Sequence, residues 1–364
     1  MKIAIVHDYI KEYGGAEKVL EELHNLFPKA PIYTTVYLPK FLGPHKGRFE
    51  KMDIKTSILQ FIPFKSKLIS PLRLLAIPVF KFWNFSKYDL VIVCATGAYQ
   101  PNLIKKGKAK QICYCHTPPR YLYGYSTARN WQKLPGINIL AEVANHFLRM
   151  IDYASSKNVD LFIANSKEVA SRIKRFYRKD SVVIYPPVSL SKKRNYRKEN
   201  FYLAGGRLAR PKRVDLAIKA FNRLKYPLVV FGKGFAGYGN ELRDIAGKTI
   251  KFVGEVNEEE KSKLMAQAKA FIFCAEEEDF GITPVEVMSQ GTPVIAYKSG
   301  GVKESILDKK TGIFFESLNV DSLVKAVKIF EKTKFDPEET IKNAANFSKD
   351  NFDKKIINLI KKYA

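Results

Sequence analysis

The chain is expected to be an α/β protein of two domains, and three observations carry that expectation. Short apolar runs alternate with amphipathic segments along its whole length, the pattern of parallel strands covered by helices rather than of an all-helical or all-β protein. At 364 residues and 46% hydrophobic composition it can bury two cores of ordinary size. The stretch 189–200, with Lys192, Lys193, Arg194, Arg197 and Lys198, is polar and lacks apolar periodicity, so it reads as a linker between two such series.

In the first series, strands are expected at 3–7, 90–94, 111–115, 161–165 and 182–185, the last just before Pro186-Pro187. The second series has strands at 201–204, 228–231, 250–253, 270–274 and 293–296, with helices at 214–224 and 258–267 among them. In the tail, Phe352, Ile356, Ile357, Leu359 and Ile360 lie among lysines, as in an amphipathic helix that braces the domains. The expected organisation is a domain over 1–187, a second over 188–346, and a helix over 347–364 packing back toward the first. Two Rossmann-like domains facing across a cleft place ligands at the carboxyl ends of their strands.

No apolar run reaches the length of a transmembrane helix, and His7-Asp8 interrupt the first one too early for a secretory signal. Cys94, Cys113, Cys115 and Cys274 show neither a disulfide framework nor a zinc spacing. Reduced thiols in a cytoplasmic protein, peripheral at the inner face of the cell membrane, are expected. The net charge of +26 fits either a polyanionic partner or mere solubility. Region 55–85 combines Lys55, Lys65, Lys67, Arg73 and Lys81 with many apolar side chains and no acid. It suits an anionic membrane surface or, equally, a helical hairpin packed in the core with its lysines in solvent. Nucleic acid is not expected as a partner, since no recognised module and no regular aromatic-arginine spacing is present.

The most informative stretch is Glu278-Asp279-Phe280-Gly281-Ile282-Thr283-Pro284-Val285-Glu286, which follows an apolar strand. With Pro284 in the first helical turn, the amides near Gly281, Ile282 and Thr283 form an anion site. Glu278 then stands beside that site and Glu286 lies in the helix behind it. A nucleotide sugar, which carries both phosphate and vicinal hydroxyls, could engage all three features.

Other strand ends add to this. Gly14-Gly15 precede a helix beginning near Ala16, where backbone can approach a ligand and the helix dipole is positive. The spacing does not match the dinucleotide fingerprint G-x-G-x-x-G, which disfavours an oxidoreductase. Gly205-Gly206-Arg207-Leu208-Ala209-Arg210-Pro211-Lys212-Arg213 puts cations at a strand end, where Arg207 and Lys212 can neutralise a diphosphate leaving group. Arg210 and Arg213 read as solvated. Cys115-His116-Thr117-Pro118-Pro119-Arg120-Tyr121 closes another strand, and its prolines would hold the His116 ring and carbonyl rigid. Asn165-Ser166 ends a strand, with Ser166 a plausible N-cap.

Across these motifs and over nearly its whole length, the chain resembles the retaining glycosyltransferases of family 4, with the GT-B fold. It looks most like the mannosyltransferases of bacterial polysaccharide and O-antigen assembly. The resemblance implies that residues 188–346 bind the donor and 1–187 the acceptor. Arg207 and Lys212 would bind the donor diphosphate, Glu286 the ribose hydroxyls and Glu278 the transferred hexose. His116 would meet the sugar near its reacting carbon. Gly14 and Gly15 would pack against the diphosphate and acceptor side. Phe280, Gly281, Ile282 and Thr283 would complete the sugar and phosphate contacts, and Gly254 would lie near the nucleobase. No metal or other cofactor is implied, because the cations take that role. Asp279 stands where many relatives have glycine, as is common in the mannosyltransferase-like subgroup.

The implied reaction moves mannose from GDP-mannose to a hydroxyl of a lipid-linked glycan through an oxocarbenium-like transition state. Three rivals stand beside it: a UDP-sugar donor, a nucleotide-sugar epimerase on the same scaffold, and a catalytically idle glycan-binding protein. A glycosidase-like double displacement by Glu278 and Glu286 is disfavoured by their strand-end and helix positions.

Overall fold

The computed structural model describes residues 1–127, 137–190 and 196–363, without the side chains of 137–141. Lys192, Lys193 and Arg194 of the expected linker lie outside the described residues. One unit comprises Met1–Tyr125, Gln132–Pro187 and Asp350–Ala364, and the second is built on Val188–Lys349.

In the first unit the elements run β1 (Ile3–His7), α1 (Gly15–Leu26), β2 (Ile32–Thr34), β3 (Ile54–Thr56), α2 (Leu72–Phe82), β4 (Leu90–Ala95), β5 (Lys110–Cys115), α3 (Ile137–Ser156), β6 (Leu161–Ala164), α4 (Lys167–Tyr177) and β7 (Ser181–Val183). Among the described residues they form a parallel sheet in the order β3-β2-β1-β4-β5-β6-β7. The central strands are continuous apolar runs because helices cover both faces of a parallel sheet; β4, Leu-Val-Ile-Val-Cys-Ala, is buried throughout. Ile5 pairs with Ile32 on one side and Ile92 on the other, fixing the register about β1.

Ser166 caps α4 by accepting from the Val169 amide at 3.0 Å. The tail helix, α12 (Lys349–Tyr363), begins two residues later than expected. Its Phe352, Ile356 and Ile360 are buried with Ile5, Ile92 and Ile112 in one cluster, and each such burial contributes about 1.5–3 kcal/mol. Region 55–85 is not a helical hairpin: it holds β3, a short 3-10 turn over Ile58–Phe61, further turns and one α-helix, α2. In α2, Leu72, Ala76 and Phe80 face the core, while Leu74, Leu75 and Phe82 are exposed.

The second unit runs β8 (Tyr202–Gly205), α5 (Val214–Leu224), β9 (Leu228–Phe231), α6 (Tyr238–Asp244), β10 (Ile250–Gly254), α7 (Glu258–Gln267), β11 (Phe271–Phe273), α8 (Ile282–Met288), β12 (Val294–Tyr297), α9 (Val302–Ser305), β13 (Gly312–Phe315), α10 (Val320–Glu331) and α11 (Pro337–Ala345). Its parallel sheet has the order β10-β9-β8-β11-β12-β13. On α5, Val214, Ala217, Ile218 and Phe221 are buried at the helical period.

The expected linker is tied down both just before its first residue and near its end. Val188 bridges Ser348, and the Lys198 ammonium bonds the Ala268 carbonyl and the Thr292 hydroxyl. Burial pushes its pKa down to about 8.

β2, β3 and β13 were not expected from the sequence. At three or four residues each they carry almost no periodicity of their own and exist because a neighbouring strand offers a ladder. All four cysteines are free and buried. Among the described residues no helix is long and apolar enough to cross a membrane.

Candidate functional site

Both sheets reverse their strand order at a switch point, between β1 and β4 in the first unit and between β8 and β11 in the second. Such points leave a crevice at the carboxyl ends of the strands.

In the second unit, β8 ends at Gly205 and Gly206 follows. Gly206 has φ +108°, and a Cβ built on Gly232 would stand 1.8 Å from the Gly206 carbonyl oxygen, so this crossing of two loops excludes a side chain. A Cβ on Gly206 itself would be 3.8 Å from the Thr283 hydroxyl, which puts the glycine loop beside the start of α8. Arg207, next in the chain, is exposed, with its guanidinium 5.9 Å from the centre of the Phe235 ring. The chain then makes one tight turn, Arg210–Lys212, and the Pro211 carbonyl accepts the Glu276 amide at 2.9 Å. That bond ties the β8 loop to the β11 loop and brings Lys212 to Glu278, whose charged ends lie 2.5 Å apart. The Lys212 ammonium also lies 5.6 Å from the Phe273 ring centre.

The segment from Glu278 to Glu286 folds as its turn chemistry suggests. Gly281 takes φ +90° and α8 starts at Ile282. Pro284 therefore falls in the first turn, where its missing N–H leaves no helical bond unmade. Glu286, 9% exposed, lies 3.6 Å from the Lys261 ammonium, which also holds Glu258 at 2.8 Å. Burial works against the charge on Lys261, but Glu286 and Glu258 together hold its pKa above the ordinary lysine value. Lys261 sits on α7, which Asn257 and Glu260 start with a reciprocal capping box. Gly254 ends β10, and its carbonyl accepts the Gly232 amide at 2.6 Å.

Two expectations change. The Phe280 ring is 2% exposed and packs 5.4 Å from Phe347, so that side chain serves the core and only its backbone faces the turn. Arg210 and Arg213 are not merely solvated: Arg210 pairs with Glu241, and Arg213 with Asp215 at 3.2 Å and Glu276 at 3.5 Å.

In the first unit, His116 follows β5 and is 9% exposed. Its Nε2 is 3.2 Å from the Cys94 sulfur, and its carbonyl accepts the Asn165 side-chain amide at 2.9 Å. Asn165 therefore steadies the His116 backbone, beyond standing next to a cap. Beneath the Gly14-Gly15 loop, Glu17 accepts the Gly14 amide at 2.9 Å and faces His7 at 3.8 Å. Burial opposes the charge on His7, and the Cys94 and Glu17 side chains overcome it, holding its pKa well above the usual histidine range. Asp8, fully buried, accepts the Ala98 and Tyr99 amides at 3.1 Å each and the Thr96 hydroxyl, fixing the loop after β4.

Lys261, Glu17 and Gly300-Gly301 lie outside the site expected from the sequence. The last pair packs under the acid loop: the Gly301 amide donates to the Glu278 carbonyl at 2.7 Å, and a Cβ on Gly300 would stand 2.2 Å from that same oxygen. A Gly-Gly pair after an expected strand was the only available signal.

Residues 13–192 match the family model described as glycosyltransferase family 4, and residues 188–347 the model described as glycosyl transferases group 1. The chain is 25% identical over 373 residues to the alpha-1,3/1,6-mannosyltransferase ALG2 of Dictyostelium discoideum, covering 86% of this chain and 85% of that one. It is 25% identical over 290 residues to the enzyme of the same name from Rhizomucor pusillus, covering 65% and 61%. Among solved structures, the lipopolysaccharide outer core galactosyltransferase WaaB superposes with a TM-score of 0.71 at 16% identity over 100% of both chains. Anabaena Alr3699/HepE, in complex with UDP and glucose, does so with a TM-score of 0.71 at 17% identity over 100% of both. Identities this low speak for the fold alone. The two family models adjoin, cover nearly the whole chain, and meet a matching pair of Rossmann-like sheets: the chain belongs to the family 4 glycosyltransferases and has the two-domain α/β GT-B fold.

Proposed function

We propose that this glycosyltransferase moves mannose from GDP-mannose to a hydroxyl of a lipid-linked glycan in cell-surface polysaccharide synthesis, with retention at the anomeric carbon and without a metal ion. The Lys212–Glu278 pair at the β8/β11 switch point carries the reading. A cation and a carboxylate in contact offer adjacent places for a phosphate oxygen and a sugar hydroxyl, the two groups that flank an anomeric carbon in a nucleotide sugar. The ALG2 mannosyltransferases among the relatives support mannose as the sugar.

In this mechanism negative charge builds on the departing diphosphate as the sugar becomes cationic. Arg207 and Lys212 stabilise that charge, and groups so placed contribute several kcal/mol each. Glu278 accepts hydrogen bonds from the hexose hydroxyls. Glu286, oriented by Lys261, accepts from the ribose. The amides of Gly281 to Thr283 line the sugar and phosphate, and Gly254 borders the base. His116, with its ring set by Cys94 and its carbonyl by Asn165, acts at the reacting sugar. Gly14 and Gly15 serve the acceptor side.

HepE was solved with UDP, so a UDP-sugar is the second reading. A thermal-shift panel of GDP, GDP-mannose, UDP, UDP-glucose and UDP-GlcNAc separates the two, because a ligand of the folded state raises the melting temperature. Stabilisation by GDP and GDP-mannose alone is expected. A shift selective for UDP compounds overturns the donor, and no shift with any nucleotide overturns the proposal.

A further inference from the structure

Residues 54–88 contain no carboxylate, while Lys55, Lys65, Lys67, Arg73, Lys81 and Lys87 supply cations. The structure leaves the large apolar side chains of this arm in solvent: Phe61 is 82% exposed, Phe64 and Phe82 78%, Ile58 76%, Leu74 56% and Leu75 50%. Such concentration on one short stretch is unusual for a soluble surface. The inner face of the arm is firmly attached. Leu72, Ala76 and Phe80 enter the core, and three contacts join the arm to loops at the carboxyl ends of the strands. Lys11 after β1 donates to the Ser66 carbonyl at 2.7 Å, Tyr99 after β4 donates to the Ile69 carbonyl at 2.7 Å, and the Arg73 guanidinium stacks 3.6 Å from the Tyr121 ring centre after β5.

We propose that this arm docks the enzyme on an anionic bilayer surface, with Phe61, Phe64 and Phe82 inserted at the headgroup boundary and Lys65, Lys67 and Lys81 against lipid phosphates. Aromatic and aliphatic tips among lysines form an interfacial anchor. A protein partner fits less well, because protein interfaces are depleted in lysine and enriched in arginine, the reverse of this arm. A second copy would set like charges face to face. The three inner contacts place the acceptor-side loops next to the docked face, where a lipid-linked acceptor presents its glycan. This placement rests on the proposed lipid-linked acceptor, whereas the docking itself does not.

The test is co-sedimentation of the full chain with vesicles of phosphatidylcholine alone or mixed equally with phosphatidylglycerol, at low and high salt. Binding to the anionic vesicles at least about tenfold tighter than to the neutral ones, and weakened by salt, is expected. The variant Phe61→Ser/Phe64→Ser/Phe82→Ser should lose at least about tenfold of that binding while keeping its melting temperature and nucleotide-induced shift. Should it misfold, Lys65→Gln/Lys67→Gln/Lys81→Gln must show the same loss. Equal vesicle binding by wild type and variant, no binding to any vesicle, or a change of the variant's oligomeric state in light scattering overturns the proposal. Vesicle binding without any nucleotide shift would keep the anchor and remove the donor assignment.

Discussion

Gly300→Ala tests whether the backbone under Glu278 controls catalysis. Gly300 has φ +66°, where an L-residue costs about 1–2 kcal/mol. The new Cβ would stand 2.2 Å from the Glu278 carbonyl oxygen and 2.7 Å from its amide nitrogen, against 3.4 Å for ordinary contact. The Glu278 peptide must therefore retreat by about 1 Å, giving up the Gly301 hydrogen bond, worth about 1 kcal/mol. The sum is about 2–3 kcal/mol, or roughly 4–12 °C in melting temperature for a domain of this size. A displacement of about 1 Å at a catalytic group costs on the order of 100-fold in rate. Gly237→Ala is the control: it has φ +81° but nothing within 4 Å of its Cβ, so it carries the backbone cost without the collision. Steady-state sugar transfer, measured well below both melting points, should show kcat/KM reduced about 100-fold in Gly300→Ala and unchanged in Gly237→Ala. Values for the two variants within threefold of each other would refute the argument that Gly300 positions Glu278.

Lys212→Ala should lower kcat about 10²–10³-fold at saturating donor while moving the melting temperature little, since its pair with Glu278 is partly solvated; wild-type turnover would remove Lys212 from the mechanism. Lys261→Met should raise the donor KM about tenfold with kcat nearly intact, because it removes a cation that orients the Glu286 carboxylate proposed to meet the ribose; a fall in kcat alone would place Glu286 at the reacting centre instead. Burial raises the pKa of Asp152 to about 7, although Tyr123 and Tyr177 donate to it. The folded state thus holds a proton that the unfolded chain has lost above about pH 4, and stability drains away as pH rises toward about 7. Asp152→Asn should flatten that slope, so thermal melts at pH 5 and pH 8 should differ less for the variant than for wild type.

Much of the fold could be read in the sequence because local patterns encode it. The apolar runs at β1, β4 and β9, the helical period of α5, the Ser166 cap and the placing of Pro284 each depend on residues within one or two turns. The glycines and cations that end β8, and the turn that starts α8, were legible for the same reason, since they too are set by neighbours in the chain. What the sequence concealed rests on pairs distant in the chain. Nothing near Lys261 predicts Glu286 as its partner, nothing near Gly300 predicts the Glu278 carbonyl above it, and β2 pairs only because β1 supplies a ladder.

By itself, then, the sequence determined the alternation of strand and helix, the two series on either side of residue 188, and the residue types that end each strand. Tertiary structure alone decided the switch points, the Lys212–Glu278 and Glu286–Lys261 pairs, and the side of α2 that faces water. The physical reason is that propensity and capping act over a few residues, whereas a charge pair or a steric limit at a glycine depends on two segments meeting. Only the folded sheet order settles which segments meet.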